Sequence, residues 1–251
     1  MNDSAHTHQI SLSQARGPEN CVLYAIGDIH GRYDLMQAME RSIALDFAER
    51  GASRREIIFL GDYVDRGPQS RQVLERLSQL RAAPDIHILC GNHDAAMVEF
   101  LDHPSGEGLF ALNGGDATAR SYGIEIDFTD PLSLARGHQA LCEAIPPEHV
   151  ELLRNMPDRY VAGDFFFCHA GIDPTVALEN QEHDDLLWIR KLFLDCDGLH
   201  PKVIVHGHTP TKQVEMLPNR VNLDTHAWKR GVLSALVIDG PEKKIIQAGE
   251  A

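Results

Sequence analysis

Five short clusters of polar residues contain most of the chemistry this chain could perform. In order they are Gly27-Asp28-Ile29-His30-Gly31, Gly61-Asp62-Tyr63-Val64-Asp65-Arg66-Gly67, Gly91-Asn92-His93-Asp94, His169-Ala170-Gly171 and His206-Gly207-His208-Thr209. Carboxylate, amide oxygen and imidazole are donors that suit manganese, iron or zinc far better than copper(I), which prefers sulfur. In Asp28-x-His30 both side chains can reach one ion if the chain is turning there. The neighbouring glycines allow a sharp turn and a close backbone approach. Taken singly, a Gly-Asp pair is commonly a turn and a histidine is commonly a hydrogen-bonded core or surface residue. Five such clusters, each just after an apolar run, make coincidence a poor explanation.

The apolar runs are the elements that must position these groups. They are Cys21–Ile26, Ile57–Leu60, Ile86–Leu89, Phe165–Cys168 and Val203–Val205. Short runs rich in β-branched and aromatic residues and closed by glycine or histidine read as buried strands. Val221–Leu223 and Leu233–Ile238 are further candidates. Leu35, Met39, Ile43 and Phe47 recur at helical spacing, as do Val73, Leu77 and Leu80. Alternating strand and helix indicate an α/β protein whose sheets are covered by helices, with ligands gathered at the carboxyl ends of the strands. Residues of about 95–163 read as a mainly helical insertion, with a helix opening at Pro146-Pro147-Glu148. Residues 1–19 read as a flexible N-terminal arm and 20–251 as a single domain.

Composition narrows the function. The 251 residues hold 37 acidic and 23 basic side chains, a net charge of -14. That balance argues against non-specific nucleic-acid binding, which needs excess Lys and Arg. It does not exclude a focused cationic pocket, and bound divalent ions would add positive charge. The five cysteines are widely spaced with no CxxC pair, which speaks against a disulfide framework or structural zinc. No apolar stretch approaches the roughly 20 residues of a bilayer span, and no secretory signal is visible. A cytoplasmic protein without membrane contact is the expectation; nothing fixes its oligomeric state.

The five clusters together resemble the phosphoprotein-phosphatase family of the calcineurin-like metallophosphoesterases, through its GDxHG, GDxxDRG, GNH and later histidine motifs. Trp188-Ile189-Arg190 and Gly207-His208-Thr209-Pro210 make the likeness closest to compact bacterial and phage Ser/Thr phosphatases. The resemblance implies an αββα sandwich of two mixed β-sheets flanked by helices. It implies two divalent metal ions, manganese foremost, with Asp28 and His30 on the first and Asp62 bridging. Asn92, His169 and His208 would complete the second. It also implies a hydroxide activated by the two metals, with His93 as general acid. Asp65 would orient that imidazolium, and Arg66 and Arg190 would bind phosphate oxygens. His206 is left as structural, and Arg190 sits in a helix-like run where a solvated arginine competes with the phosphate role.

Three departures stand out. Asp94 replaces the usual glutamate after GNH, and His226 replaces a glycine in Asp224-Thr225-His226-Ala227. Pro210 stands where some relatives have a further histidine ligand, so one ion should be held weakly. The expected activity is hydrolysis of phosphate monoesters, phosphorylated proteins or small phosphoesters, as a Ser/Thr phosphatase. Hydrolysis of dinucleoside polyphosphates is the alternative, since the motif set is shared. A non-catalytic metal-binding interaction protein is the third reading, disfavoured because a scaffold needs no general acid.

Overall fold

The computed structural model describes residues 9–249. The chain opens with β1 (Val22–Ile26), α1 (Tyr33–Arg50), β2 (Arg55–Phe59), α2 (Ser70–Leu80) and β3 (Ile86–Ile88). A helical stretch follows: α3 (Asn92–Asp102), α4 (Leu109–Leu112), α5 (Gly115–Ser121), α6 (Pro131–Ala144) and α7 (Pro147–Arg154). The second half runs β4 (Arg159–Ala162), β5 (Phe165–Cys168), α8 (His183–Trp188), α9 (Lys191–Leu194), β6 (Val203–His206), β7 (Glu215–Met216) and β8 (Arg220–Asn222). It closes with α10 (Ala227–Arg230), β9 (Val232–Asp239) and β10 (Glu242–Gly249).

The strands form two mixed five-stranded sheets, ordered β10-β9-β1-β2-β3 and β4-β5-β6-β8-β7. Side chains alternate across a strand, so each can serve two layers. In β1, Val22, Tyr24 and Ile26 pack with Leu35, Met36, Met39 and Ile43 of α1. Leu23 and Ala25 face the other way, onto Phe165, Phe167, Val203 and Val205 of the second sheet. The outer face of that sheet, through Phe166, Cys168 and Ile204, is covered by Leu186, Leu187 and Phe193. The result is helix, sheet, sheet, helix.

Within this sandwich β1, β2 and β3 run parallel, and so do β5, β6 and β8. Parallel neighbours place their carboxyl ends at one rim, which is where all five polar clusters emerge.

Several details differ from expectation. Residues 1–8 of the expected arm lie outside the described residues, but 9–19 are tied down rather than loose. Ile10 N–H donates to His200 O at 3.0 Å, Leu12 N–H to Pro218 O at 2.7 Å and Gly17 N–H to Gly240 O at 2.9 Å, and Ala15 is fully buried. The helical stretch stops at Arg154, because 159–162 pair with β5 as an edge strand. The run around Arg190 is not one helix. It breaks between α8 and α9, with Arg190 itself at φ -134°, ψ -93°. Among the described residues no helix is long and apolar enough to cross a membrane, and all five cysteines are unpaired.

A buried ionic cluster ties α1 to the last hairpin. Asp46 accepts from Tyr24 Oη at 2.9 Å, Arg50 Nε at 2.6 Å and Lys244 Nζ at 2.8 Å. Burial pushes its carboxyl up, but hydrogen bonds from Arg50, Lys244 and Tyr24 prevail and hold it down at about 2. A depressed folded pKa means this stabilisation is complete above the unfolded value of about 4 and is lost as pH falls through about 2. Asp46→Ala, by stranding Arg50 and Tyr24, should cost about 3 kcal/mol. Urea denaturation at neutral pH measures it; a wild-type midpoint would contradict the assignment.

Candidate active site

Each ligand-type side chain enters the site from a turn at the end of a strand, and the turns are conformationally unusual. Seven non-glycine residues among those described have positive φ: Asn20, His30, Asp62, Asp65, Arg66, His208 and His226. Five of them are residues the motifs nominate. L-residues enter this left-handed region at a cost of order 1–3 kcal/mol each, and do so where the surroundings over-determine them. Here the turns are cross-linked: Ile29 and His30 N–H groups both donate to Asp62 O, at 3.1 and 2.8 Å. Two glycines give the space. A Cβ on Gly91 would collide with the Asp62 amide and carboxylate, and one on Gly207 with the Asp28 carboxylate.

Asp62 is the hub. Its carboxylate lies 3.4 Å from His30 Nε2 on one side and 3.3 Å from His169 Nε2 on the other. Asn92 Oδ1 sits 2.9 Å from both His169 Nε2 and His208 Nδ1. Two groups of donors therefore converge, His30–Asp62–His93 and Asp62–His169–His208, all buried and sharing Asp62. The structure gathers Asp62, Asn92, His169 and His208 as expected of one ligand set. The other group brings His93 beside His30, ring centroids 4.7 Å apart, and does not include Asp28. Asp28 is buried nearby with its carboxylate turned onto the His208 N–H, at 3.1 Å.

The donor set fits divalent cations. It is built of oxygen and imidazole nitrogen without sulfur. His30 Nδ1 is 2.8 Å from Val64 O and His169 Nδ1 is 2.9 Å from Leu60 O. Main-chain carbonyls accept from those nitrogens, so the Nε2 lone pairs are aimed into the site, the arrangement that orients metal-ligating histidines. Burial lowers His30 to about 3 and His208 to about 2, leaving both imidazoles neutral. Burial raises Asp62, but the His169, His93 and His30 imidazoles outweigh it and hold its carboxyl well below the usual range. Asp28 goes the opposite way, raised by burial and by the Asp224 carboxylate. For His169 burial is overcome by Asp62, which lifts it to about 10, so cation uptake there must displace a proton.

Around this centre lie the other nominated groups. His93 Nδ1 is 2.7 Å from Asp65 Oδ2. The Arg66 guanidinium reaches His93 Nε2 at 2.8 Å and His30 Nε2 at 2.9 Å, and Arg190 Nε donates to His208 Nε2 at 2.9 Å. The two arginines thus flank opposite ends of the cluster. His206 lies under it, fully buried against Phe193.

Sequence reasoning missed three supports. Asp94 Oδ2 accepts the Asp62 and Gly91 N–H groups at 2.7 and 3.0 Å, and its Oδ1 accepts that of Tyr63 at 2.9 Å. Its position as the third residue of α3, able to cap the preceding turn, was the available signal. Thr118 of α5 bonds Asp65 through both its hydroxyl donor, at 2.8 Å to Oδ1, and its acceptor, at 2.8 Å from Asp65 N. No local pattern announces that contact across 53 residues. Asp224 is buried beside Asp28 and raised to about 6, by burial first.

Comparison with known proteins agrees with this geometry. The calcineurin-like phosphoesterase model matches residues 22–236, and the chain belongs to that family. It is a metallophosphoesterase. The chain is 26% identical over 226 residues to the asymmetrical bis(5'-nucleosyl)-tetraphosphatase PrpE of Bacillus velezensis, spanning 80% of this chain and 82% of that protein. A solved chain described as a candidate diadenosine tetraphosphatase superposes with TM-score 0.63 at 21% identity, over 94% of this chain and all of that one. A protein serine/threonine phosphatase from Saccharomyces cerevisiae superposes with TM-score 0.56 at 14% identity, over 92% and 81%. The structural likenesses speak for the fold.

Asp94→Ala should orphan three buried N–H groups at the Asp62 turn. We expect a loss of about 2–3 kcal/mol in stability and roughly 10–100-fold in manganese affinity. Chemical denaturation and metal titration read the two effects; wild-type metal affinity would show that Asp94 does not position Asp62.

Proposed function

We propose that the protein is a dinucleoside polyphosphate hydrolase, cleaving a dinucleoside tetraphosphate asymmetrically to a nucleoside triphosphate and a monophosphate. The observation that carries this is the similarity to PrpE over four-fifths of both chains. The reading replaces phosphate monoester by phosphoanhydride as the principal substrate bond, and puts Ser/Thr phosphatase activity second. In this proposal Asp28, His30, Asp62, Asn92, His169 and His208 hold two divalent cations, manganese in preference to iron or zinc. Such ions, when bound, neutralise phosphate charge and activate water.

The chain's own groups do the rest. His93 Nε2 now accepts from Arg66; with that guanidinium turned to phosphate, Nε2 would carry a proton and deliver it to the departing oxygen. Burial alone would strip that proton, but Asp62 and the hydrogen-bonded Asp65 raise the imidazole above its ordinary value. Asp65, clamped by Thr118, fixes the ring plane. Arg66 and Arg190 take the non-bridging oxygens, to which planar guanidinium forks are suited.

The His93–Asp65 pair also favours a second reading, since an acid is most needed when a serine or threonine alkoxide leaves. A nucleotide phosphate is a far less basic leaving group. His93→Gln should therefore lower kcat by roughly 10²–10⁴-fold on a phosphothreonine peptide and by a smaller factor on a dinucleoside tetraphosphate. Equal losses on both substrates would remove His93 as the acid. For the wild-type enzyme, kcat/KM on the two substrates decides the ranking. Tetraphosphate preference with triphosphate and monophosphate products supports our proposal, and peptide preference reverses it.

A further inference from the structure

We infer that Trp188 is the platform on which a nucleobase of the substrate stacks, a reading that rests on the nucleotide specificity proposed above. Trp188 is 42% exposed, and it is the one exposed aromatic residue among those described. Its neighbours in α8, Leu186 and Leu187, are buried against Phe166 and Phe193, so the helix is already anchored without it. A tryptophan left partly in water keeps a large ring face free to take a ligand.

Its location supplies the ligand. The indole stands edge-on to His208, ring centroids 6.4 Å apart. The chain breaks helical geometry immediately after it and turns Arg190, two residues on, back onto His208 at 2.9 Å. One short segment thus offers a flat apolar face and, next to it, an exposed guanidinium at the edge of the candidate metal cluster. A nucleotide has the matching layout, a flat base beside an anionic chain. Aromatic faces accept any base, with base selectivity left to other contacts. The chain's other tryptophan is differently employed: Trp228 is half-buried beside His226 with the Arg66 guanidinium 5.8 Å from its ring centroid.

The test compares wild type with Trp188→Ala and Trp188→Phe on a dinucleoside tetraphosphate and on inorganic tripolyphosphate, which has phosphoanhydride bonds but no ring to stack. We expect KM for the tetraphosphate to rise about tenfold in the alanine variant, within the range alanine substitution gives for base–aromatic stacking. KM for tripolyphosphate should move far less, and phenylalanine should restore most of the loss. Adenosine monophosphate should quench wild-type tryptophan emission but not that of Trp188→Phe. Equal changes on both substrates, or wild-type KM in the alanine variant, would overturn the platform. If wild type leaves the tetraphosphate uncleaved while adenosine monophosphate still quenches Trp188, the proposed function fails and the platform stands. Cleavage of the tetraphosphate with no quenching and no KM change has the opposite meaning.

Discussion

One buried carboxylate, Asp62, sets the terms for the rest of this structure. It is 2% exposed and lies within 3.4 Å of imidazoles from two different sheets. A charge removed from water must be paired or it neutralises. His169 supplies part of the pairing, and Asp28, Asp94 and Asp224 crowd in with the same sign, each pushed upward in pKa. A crevice holding that many buried carboxylates and neutral imidazoles has the electrostatic character of a cation site. The two sheets bring these groups together, β1 and β2 carrying Asp28, His30 and Asp62, and β5 and β6 carrying His169 and His208.

Holding Asp62 there requires strained backbone on both sides. His30, Asp62 and His208 all sit at positive φ, as do Asp65 and Arg66 just beyond. At one to three kcal/mol each, of order, this strain is comparable with the whole stability of an ordinary domain. It persists because the turns are bonded to each other and to the carboxylate of Asp94 rather than to water. His226 shares the left-handed conformation, at φ 64° and ψ 46°. A glycine is the natural residue for such a turn, and His226 is accommodated instead with its amide on Asp224 Oδ1 at 2.9 Å.

The strands that carry the site were legible because they are buried on both faces. Phe165–Cys168 and Val203–Val205 read as unbroken apolar runs, and their boundaries match to within a residue. Edge strands lack that signal. β10, with Glu242, Lys243 and Lys244, carries the charge expected of an exposed edge and gave no pattern to follow. β4 was absorbed into the helical stretch for a similar reason, being only partly buried. In the site, residue types and their order along the chain single out the clusters that hold Asp62, Asn92, His93, His169 and His208, and the family resemblance supplies their expected roles. Supports such as Thr118 were hidden, because they act across long sequence separations and depend on packing. The sequence extends the helix through Arg190 because α8 is regular up to Trp188 and the stop at Ile189 carries no glycine or proline to mark it.

Fold and site define the chemistry more narrowly than the substrate. Proteins similar to this chain are named for different phosphoesters, a dinucleoside tetraphosphatase and a protein serine/threonine phosphatase among them, and we propose that the two arginines and the aromatic faces next to them set this chain's specificity. We propose that Asp62 is shared between two cation positions. Equilibrium dialysis of chelator-stripped protein against manganese, wild type beside Asp62→Asn, tests it most directly. Two ions per chain in the wild type and a loss of affinity at both positions in the variant are predicted. Unchanged manganese occupancy in Asp62→Asn would contradict the account.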